Sequence, residues 1–491
     1  MYEKNIGTKQ KALRINLDRR IYGSFAEIGA GQETAAMFFK AGGSSGTIAK
    51  TMSAYDMTFS DSIYGVEESG RYVVESRLVK MLSKEYSLLE KRLAEKRGSE
   101  TTFFAFANTV VALNYQKTND AHGWIGCRFQ LSPQSGYNDV IIHVRMLDNE
   151  NVVQQQALGI IGVNLIYGAF YYAKSPETLV LSLMDDLTPD RIQIDMIRFS
   201  GPDFADVDNR LMSLHLVRNG FTDAALFGPD GQVLQPSEAL YKKNILVMRG
   251  RLRPVTNVQM DMIENGVKQF KAEHDVDENR VVSIAELTLH NLKSSDQSID
   301  EKDFLDRVDI LCSMGQTVMI SNYLEYYKLV AYLARLTRLK IGLVVGIPNL
   351  EYIFEEDHYE FLPGGILESF ATLFSRKVKL FVYPTLRNDA VYTCNEFELS
   401  PTMEPLFQYL VRNDKIEDIT DYNEENLHIS TDRVLEMIQQ GEDGWEQMVP
   451  ERVAQRIKDY CLFGYPCEVD YVPIGQQVRQ KQEEQLTPDS Q

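Results

Sequence analysis

From residue 191 to about residue 400 the chain alternates between strand-length apolar runs and helical patterns. This alternation limits the fold more than any other feature. The runs are RIQIDMIRF, DAALFG, KNILVMRG, VVSIAELTL, TVMISN, KIGLVVGI and VKLFVYP, with helical periodicity over 207–219, 256–272, 301–314, 323–337 and 348–375. Strands separated by helices pair in parallel through right-handed crossovers. These seven runs, with DVIIHVRML upstream, make eight. The count favours a (β/α)8 barrel over an open doubly wound sheet, although the stretch between 222 and 250 is too short for a full helix after DAALFG. In either case the fold class is α/β, with mainly parallel strands.

Upstream the pattern differs. Residues 1–100 read as a mainly helical region, with a strongly periodic helix over SRLVKMLSKEYSLLEKRLAEKRG. TTFFAFANTVVALNY, GWIGCRFQL and DVIIHVRML then read as a small antiparallel meander over 101–150. The expected order is completed by the α/β body at 151–400, a helical region at 401–473 and a disordered tail at 474–491, where apolar residues are scarce.

A formal charge of -19 gives a surface that repels nucleic acid phosphates and anionic lipid, so neither is expected as a partner. The N-terminus carries no apolar signal core. The longest uncharged run, ALGIIGVNLIYGAFYYA at 157–173, is shorter than the roughly 20 residues of a membrane span and holds Asn164, so it reads as a buried helix. Five cysteines at scattered positions read as reduced, mostly buried thiols. Together these features point to a cytoplasmic protein.

AGGSSGTIAKTMSAYD, residues 41–56, is the first candidate ligand loop. It fits neither G-x-x-x-x-G-K-[ST] nor G-x-G-x-x-G. With a helix beginning near Ile48, Gly42, Gly43, Ser44, Ser45, Gly46 and Thr47 would present backbone N–H groups to an anion, with Lys50 one turn further on. A capped corner between two helices is the alternative.

The second candidate is distributed. Several strand-like runs are apolar first and polar toward their carboxyl ends, where ligands of parallel α/β folds bind. Arg145, Arg198, Arg249, Arg251 and Arg387 are the expected anion-binding set, because guanidinium groups hold phosphate or carboxylate bidentately. Glu286 and His290 are the expected proton-transfer residues. No H-E-x-x-H, C-x-x-C or G-x-S-x-G occurs, so the expected metal content is none beyond magnesium arriving with a nucleotide.

Five segments carry a family resemblance: MYEKNIGTKQKALRINLDRRIYGSFAEIGAGQE, GGSSGTIAKTMSAYDMTFSDSIYG, KRGSETTFFAFANTV, ALGIIGVNLIYGAFY and PGGILESFATLF. Nearly end to end the chain resembles a family of long bacterial proteins labelled nicotinate- or nicotinamide-nucleotide adenylyltransferase, and in some members TonB-dependent receptor. The first label implies a transferase moving a nucleotidyl or phosphoryl group, with a nucleotide as partner. That activity uses an H-x-G-H motif, whereas here His122 is followed by Gly123 and Trp124, so no ATP-binding residue carries over. The residues leave a second reading open, a non-catalytic scaffold, regulator or self-assembling subunit. In it the arginines pair with acids of their own fold, and the 157–173 helix and acidic C-terminal region serve homo-oligomer formation.

Overall fold

The computed structural model describes residues 6–293, 298–374 and 377–467. The expected tail at 474–491 lies outside the described residues. The protein is α/β, and it divides into two compact units, Met1–Asp223 and Ala224–Gln491.

The first unit is built on one sheet of β1 (Ile21–Gly29), β2 (Ile48–Ala54), β3 (Thr102–Val111), β4 (His122–Phe129), β5 (Asn138–Met146) and β6 (Ile192–Ser200), in the order β2-β1-β3-β4-β5-β6. β2, β1 and β3 run parallel. β3 to β6 form an antiparallel meander. The meander read from the sequence is therefore present and gains RIQIDMIRF as its last strand. The helix Glu75–Arg97 covers one face, where Leu78 and Leu82 pack on the bare backbone of Gly126. On the other face the helix Asn151–Tyr171 packs against Phe106, Ile125 and Val140.

Asn164, which interrupts that apolar helix, has a specific partner. The fully buried Lys11 donates to its Oδ1 at 2.8 Å and to Asp185 at 2.6 Å. The Asn164 amide caps the Leu183 and Asp185 carbonyls. Both polar groups are thus satisfied inside the core, as buried groups must be. This burial also removes the helix as a surface for self-association. No described helix is long and apolar enough to cross a membrane.

The second unit holds β7 (Ala224–Phe227), β8 (Val233–Leu234), β9 (Asn244–Arg249), β10 (Val281–Thr288), β11 (Thr317–Ser321), β12 (Ile341–Gly346), β13 (Val378–Tyr383) and β16 (Ile416–Asp418), beside a hairpin of β14 (Thr385–Arg387) and β15 (Ala390–Tyr392). The main sheet is open, in the order β16-β13-β12-β9-β10-β11-β7-β8. The six strands from β16 to β11 are parallel. β7 runs antiparallel at the edge.

Of the two expected architectures, the open doubly wound sheet is the one formed. The barrel count failed because DVIIHVRML and RIQIDMIRF pair with each other as β5 and β6 of the first sheet, and DAALFG is the antiparallel β7. From β9 the chain moves to β10 and β11 on one side, then returns to lay β12, β13 and β16 on the other. This is the two-half arrangement whose direction reverses between β9 and β12. The helices Asn257–Ala272 and Glu301–Ser313 cover one face, with Phe270 against Phe381 and Phe304 against Phe227. Tyr326–Leu336, Gly365–Leu373 and Glu404–Arg412 cover the other, packing on Ile245, Val247, Leu343 and Val345.

Cys461 and Cys467 form a disulfide, which corrects the expectation of reduced thiols throughout. The helix Glu451–Tyr460 ends at Cys461 in a left-handed conformation, and the chain turns back to bring Cys467 within reach. Cys127 and Cys312 are buried free thiols, as expected.

One buried carboxyl in the first unit has a measurable consequence. Glu27 on β1 is 3% exposed and accepts from Ala35 N at 3.4 Å, at the start of the helix Glu33–Ala41. Burial, only partly offset by the helix N–H groups, pushes its pKa up from 4.5 to about 7. A raised carboxyl pKa means that the unfolded chain ionises first as pH rises. Its contribution to stability is therefore full below pH 4.5 and lost as pH climbs to about 7. Glu27→Gln should abolish a loss of about 3 kcal/mol across that window, read by chemical denaturation at pH 4.5 and 8. Parallel pH profiles for the two proteins would contradict this assignment.

Candidate functional site

The carboxyl edge of the second sheet opens into a cavity of about 280 Å³ beside the point where strand order reverses. Arg249, Gly250 and Arg251 reach it from the end of β9, and Thr288, His290 and Asn291 from the end of β10. Leu324 and Tyr326 follow β11, and Asn349 and Tyr352 follow β12. Four consecutive strand-to-helix turns thus meet at one place, where open α/β sheets bind their ligands.

The floor is a buried ion pair. Glu286 is fully buried on β10, and the register places it directly beside Arg249 of β9. Arg249 donates from Nε to Oε2 at 2.9 Å and from Nη2 to Oε1 at 3.0 Å. Ser321, at the end of β11, adds a third donor to Oε1 at 2.5 Å. Arg249 Nη1 donates to the Leu324 carbonyl at 2.6 Å, and the guanidinium lies 4.5 Å from the centre of the Tyr326 ring. Tyr326 in turn accepts from Asn349 at 2.5 Å. Burial pushes the Tyr326 phenol up to about 12, so it stays neutral.

This geometry revises the expected proton-transfer pair. The carboxylate of Glu286 is held by Arg249 and Ser321, and Glu286 does not line the cavity. His290 does line it and is exposed. An unbroken strand would place the two on one face, but β10 ends at Thr288 and His290 sits in a short helix, Leu289–Leu292.

The five expected anion-binding arginines do not form one set. Arg145 and Arg198 belong to the first unit, where Arg198 sits opposite Ile141, four residues along β5 from Arg145. That separation is roughly 13 Å of extended chain. Arg198 pairs with Glu75. In the second unit Arg387 lies on the β14–β15 hairpin, paired with Glu351 at 2.7 Å, and does not line the cavity. Arg249 and Arg251 do line it. Arg251 meets Asp432 at 3.2 Å with both side chains well exposed, a contact of little strength. Arg198, Arg249, Arg251 and Arg387 are therefore paired with acids, as the scaffold reading expects, and of these four Arg251 has the most exposed and weakest pair.

The glycine loop is built differently from expectation. Gly43 is left-handed at φ 76°, Ser44–Gly46 is a single 3-10 turn, and Ile48–Ala54 is the strand β2. No helix N-terminus follows Gly46, so the geometry that would offer Gly42, Gly43, Ser44, Ser45, Gly46 and Thr47 to an anion is absent. Ile48 and Met52, four apart, imitate a helical stripe, but β2 is an edge strand with little burial and needs no alternating pattern. Thr47 donates to the Asn16 carbonyl at 3.0 Å. Lys50 pairs with the buried Glu85, which also accepts from Tyr64 at 2.9 Å.

The sequence reading missed Tyr326 and Tyr352. Each stands in the first turns of a helix directly after a strand, so an aromatic residue at that place was the available signal. The first strand-to-helix turn also lacks what a dinucleotide site needs. It reads Arg-Gly-Arg-Leu-Arg-Pro. At the N-terminus of the following helix Gln259 Oε1 accepts from Thr256 N at 3.1 Å.

No protein-family description matches the chain, and no curated protein matches it. Among solved structures, the competence/damage inducible protein CihA from Agrobacterium tumefaciens is 16% identical and aligns over 32% of this chain and 92% of its own, with a TM-score of 0.22. A competence or damage-inducible protein from Enterobacter asburiae is 13% identical over 34% and 99%, with a TM-score of 0.24. Plasmodium falciparum nicotinic acid mononucleotide adenylyltransferase complexed with APC is 12% identical over 46% and 98%, with a TM-score of 0.29. Likenesses this weak carry no argument about function.

Removing Arg249 leaves a buried, uncompensated carboxylate, whereas removing Arg251 breaks only an exposed pair. Arg249→Ala should cost about 3–5 kcal/mol, and Arg251→Ala less than about 0.5 kcal/mol. Both are read by thermal or chemical denaturation, and equal effects would contradict the assigned roles.

Proposed function

We propose that the second unit binds a small phosphorylated molecule, of mononucleotide size or less, in the cavity at its carboxyl edge. The observation that carries this reading is the lining. In a chain of charge -19, the ten residues around the cavity include two arginines and a histidine and no carboxylate. A cavity of about 280 Å³ suits one phosphorylated moiety rather than a dinucleotide.

In this reading Arg251 holds the phosphate, while Arg249, bonded to Glu286 and to the Leu324 carbonyl, shapes the floor beneath it. Thr288 and Asn349 supply neutral hydrogen bonds, and Tyr352 offers a ring face to a planar group. His290 stands at the mouth, where it can take or give a proton. A magnesium ion finds no carboxylate among the lining residues, so any such ion enters on the ligand's own phosphates. Transfer of a nucleotidyl or phosphoryl group is the reaction class that the family resemblance suggests.

The test is a thermal-shift and calorimetric panel of inorganic phosphate, nicotinate and nicotinamide mononucleotides, AMP, ATP and NAD, each with and without magnesium. A mononucleotide at ~100 times its dissociation constant should add about 2.7 kcal/mol to stability. Arg251→Ala and His290→Ala should weaken that response at unchanged intrinsic stability. A response that survives both substitutions, or a preference for NAD, would contradict the reading.

A further inference from the structure

The first unit contains a chain of three titratable side chains unrelated to the cavity of the second. Asp195, His143 and His122 are linked in series on β6, β5 and β4. His143 Nδ1 lies 2.5 Å from Asp195 Oδ1, and His143 Nε2 lies 3.0 Å from His122 Nδ1. His143 and Asp195 are buried, while His122 is half-buried at the start of β4.

Local structure explains the alignment. In the ladder His143 faces Met196 while Val144 faces Ile194, so Asp195 is the extra residue of a β-bulge. Bulges re-aim a side chain, and here Asp195 is delivered to the ring of His143. Trp124, opposite His143 on β4, packs edge-on against that ring at 4.9 Å between centroids.

The series sets the tautomers. A carboxylate can only accept, so His143 donates from Nδ1 and keeps a lone pair on Nε2. His122 must then donate from Nδ1 and keep its own lone pair on Nε2, which makes no hydrogen bond among the described residues. A ring held with its outer nitrogen unprotonated is a base with one direction of attack.

A cation stands next to it. Arg145 is the cross-strand neighbour of His122. Its hydrogen bond is to the neutral Gln193, at 3.3 Å. It is half-buried and forms no ion pair among the described residues, in a protein where Arg77, Arg128 and Arg249 are each matched to a carboxylate.

We propose that His122 and Arg145 form a second site, for a small ligand bearing a phosphate or carboxylate group and an O–H donor. Arg145 binds the anionic group. His122 Nε2 accepts a hydrogen bond from the O–H and so orients the ligand beside the guanidinium. The Nδ1–H of His122 stays bonded to His143, whose tautomer Asp195 fixes. His143 and Asp195 are positioning residues, since neither meets the ligand.

The groups facing His122 are His143 and Arg145, which disfavour its charge, and Asp195 and Asp120, which favour it. Burial is the largest influence, and the pKa falls to about 4. His122 should therefore remain a free base at pH 5, where an ordinary imidazole of pKa about 6.5 is mostly protonated.

The test is modification of the full-length protein by diethyl pyrocarbonate, followed by peptide mass mapping. His122 should react at a nearly constant rate from pH 5 to pH 8. Saturating inorganic phosphate, with acetate as the carboxylate arm, should slow it about tenfold. Protection by one anion alone identifies the ligand group. In Arg145→Gln, checked for an unchanged melting temperature, protection should vanish while reactivity persists. Asp195→Asn should lower the reactivity of His122 and shift its pH profile, yet leave protection intact. A reactivity that follows free imidazole, or equal protection with and without Arg145, would overturn the proposal.

Discussion

The buried pair between Arg249 and Glu286 organises the second unit. Two charges withdrawn from water are costly, and their attraction offsets this only when the geometry is good and the remaining lone pairs are filled. Both conditions hold. The contact is bidentate, Ser321 fills the third acceptor position, and the spare guanidinium edge fastens the loop at Leu324. Through these bonds one arginine joins the ends of β9, β10 and β11 and seats the ring of Tyr326. Three of the four walls begin at a strand end that the pair fixes, and Asn349 of the fourth is tied to Tyr326 at 2.5 Å.

From that constraint follows the kind of ligand the edge can take. The turn before the first crossover helix reads Arg-Gly-Arg-Leu-Arg-Pro and has none of the close-spaced glycines that let pyrophosphate approach the backbone in dinucleotide-binding sheets. Positive charge comes instead from side chains, and only Arg251 and His290 are exposed enough to be recruited without undoing the fold. The positive charge of the edge therefore rests on few groups, set in a strongly acidic protein.

Much of this was legible in the sequence, for physical reasons that differ by element. β9, β12 and β13 are buried on both faces and read as continuous apolar runs. The polar ends of β9 and β10 pointed to the carboxyl edge before any coordinates did. What failed was partner choice. RIQIDMIRF has the composition of a parallel strand, but its pairing with β5 is decided by tertiary packing that no local window records. β2 failed for the opposite reason, since an edge strand carries almost no burial signal. The ion pairs of Arg198 and Arg387 depend on Glu75 and Glu351, which are distant in the chain, so those side chains were read as free. The bulge at Asp195 was equally invisible, because one extra residue changes a direction and not a composition.

The most direct test of the account is a crystal structure of the full-length protein soaked with tungstate, a heavy oxyanion of phosphate shape visible by anomalous scattering. The account predicts a peak in the cavity at the carboxyl edge of β9 and β10, within hydrogen-bonding distance of Arg251 and lost in Arg251→Ala. Tungstate bound elsewhere on the protein, with this cavity holding only water, would contradict the claim that the second unit is an anion-binding domain.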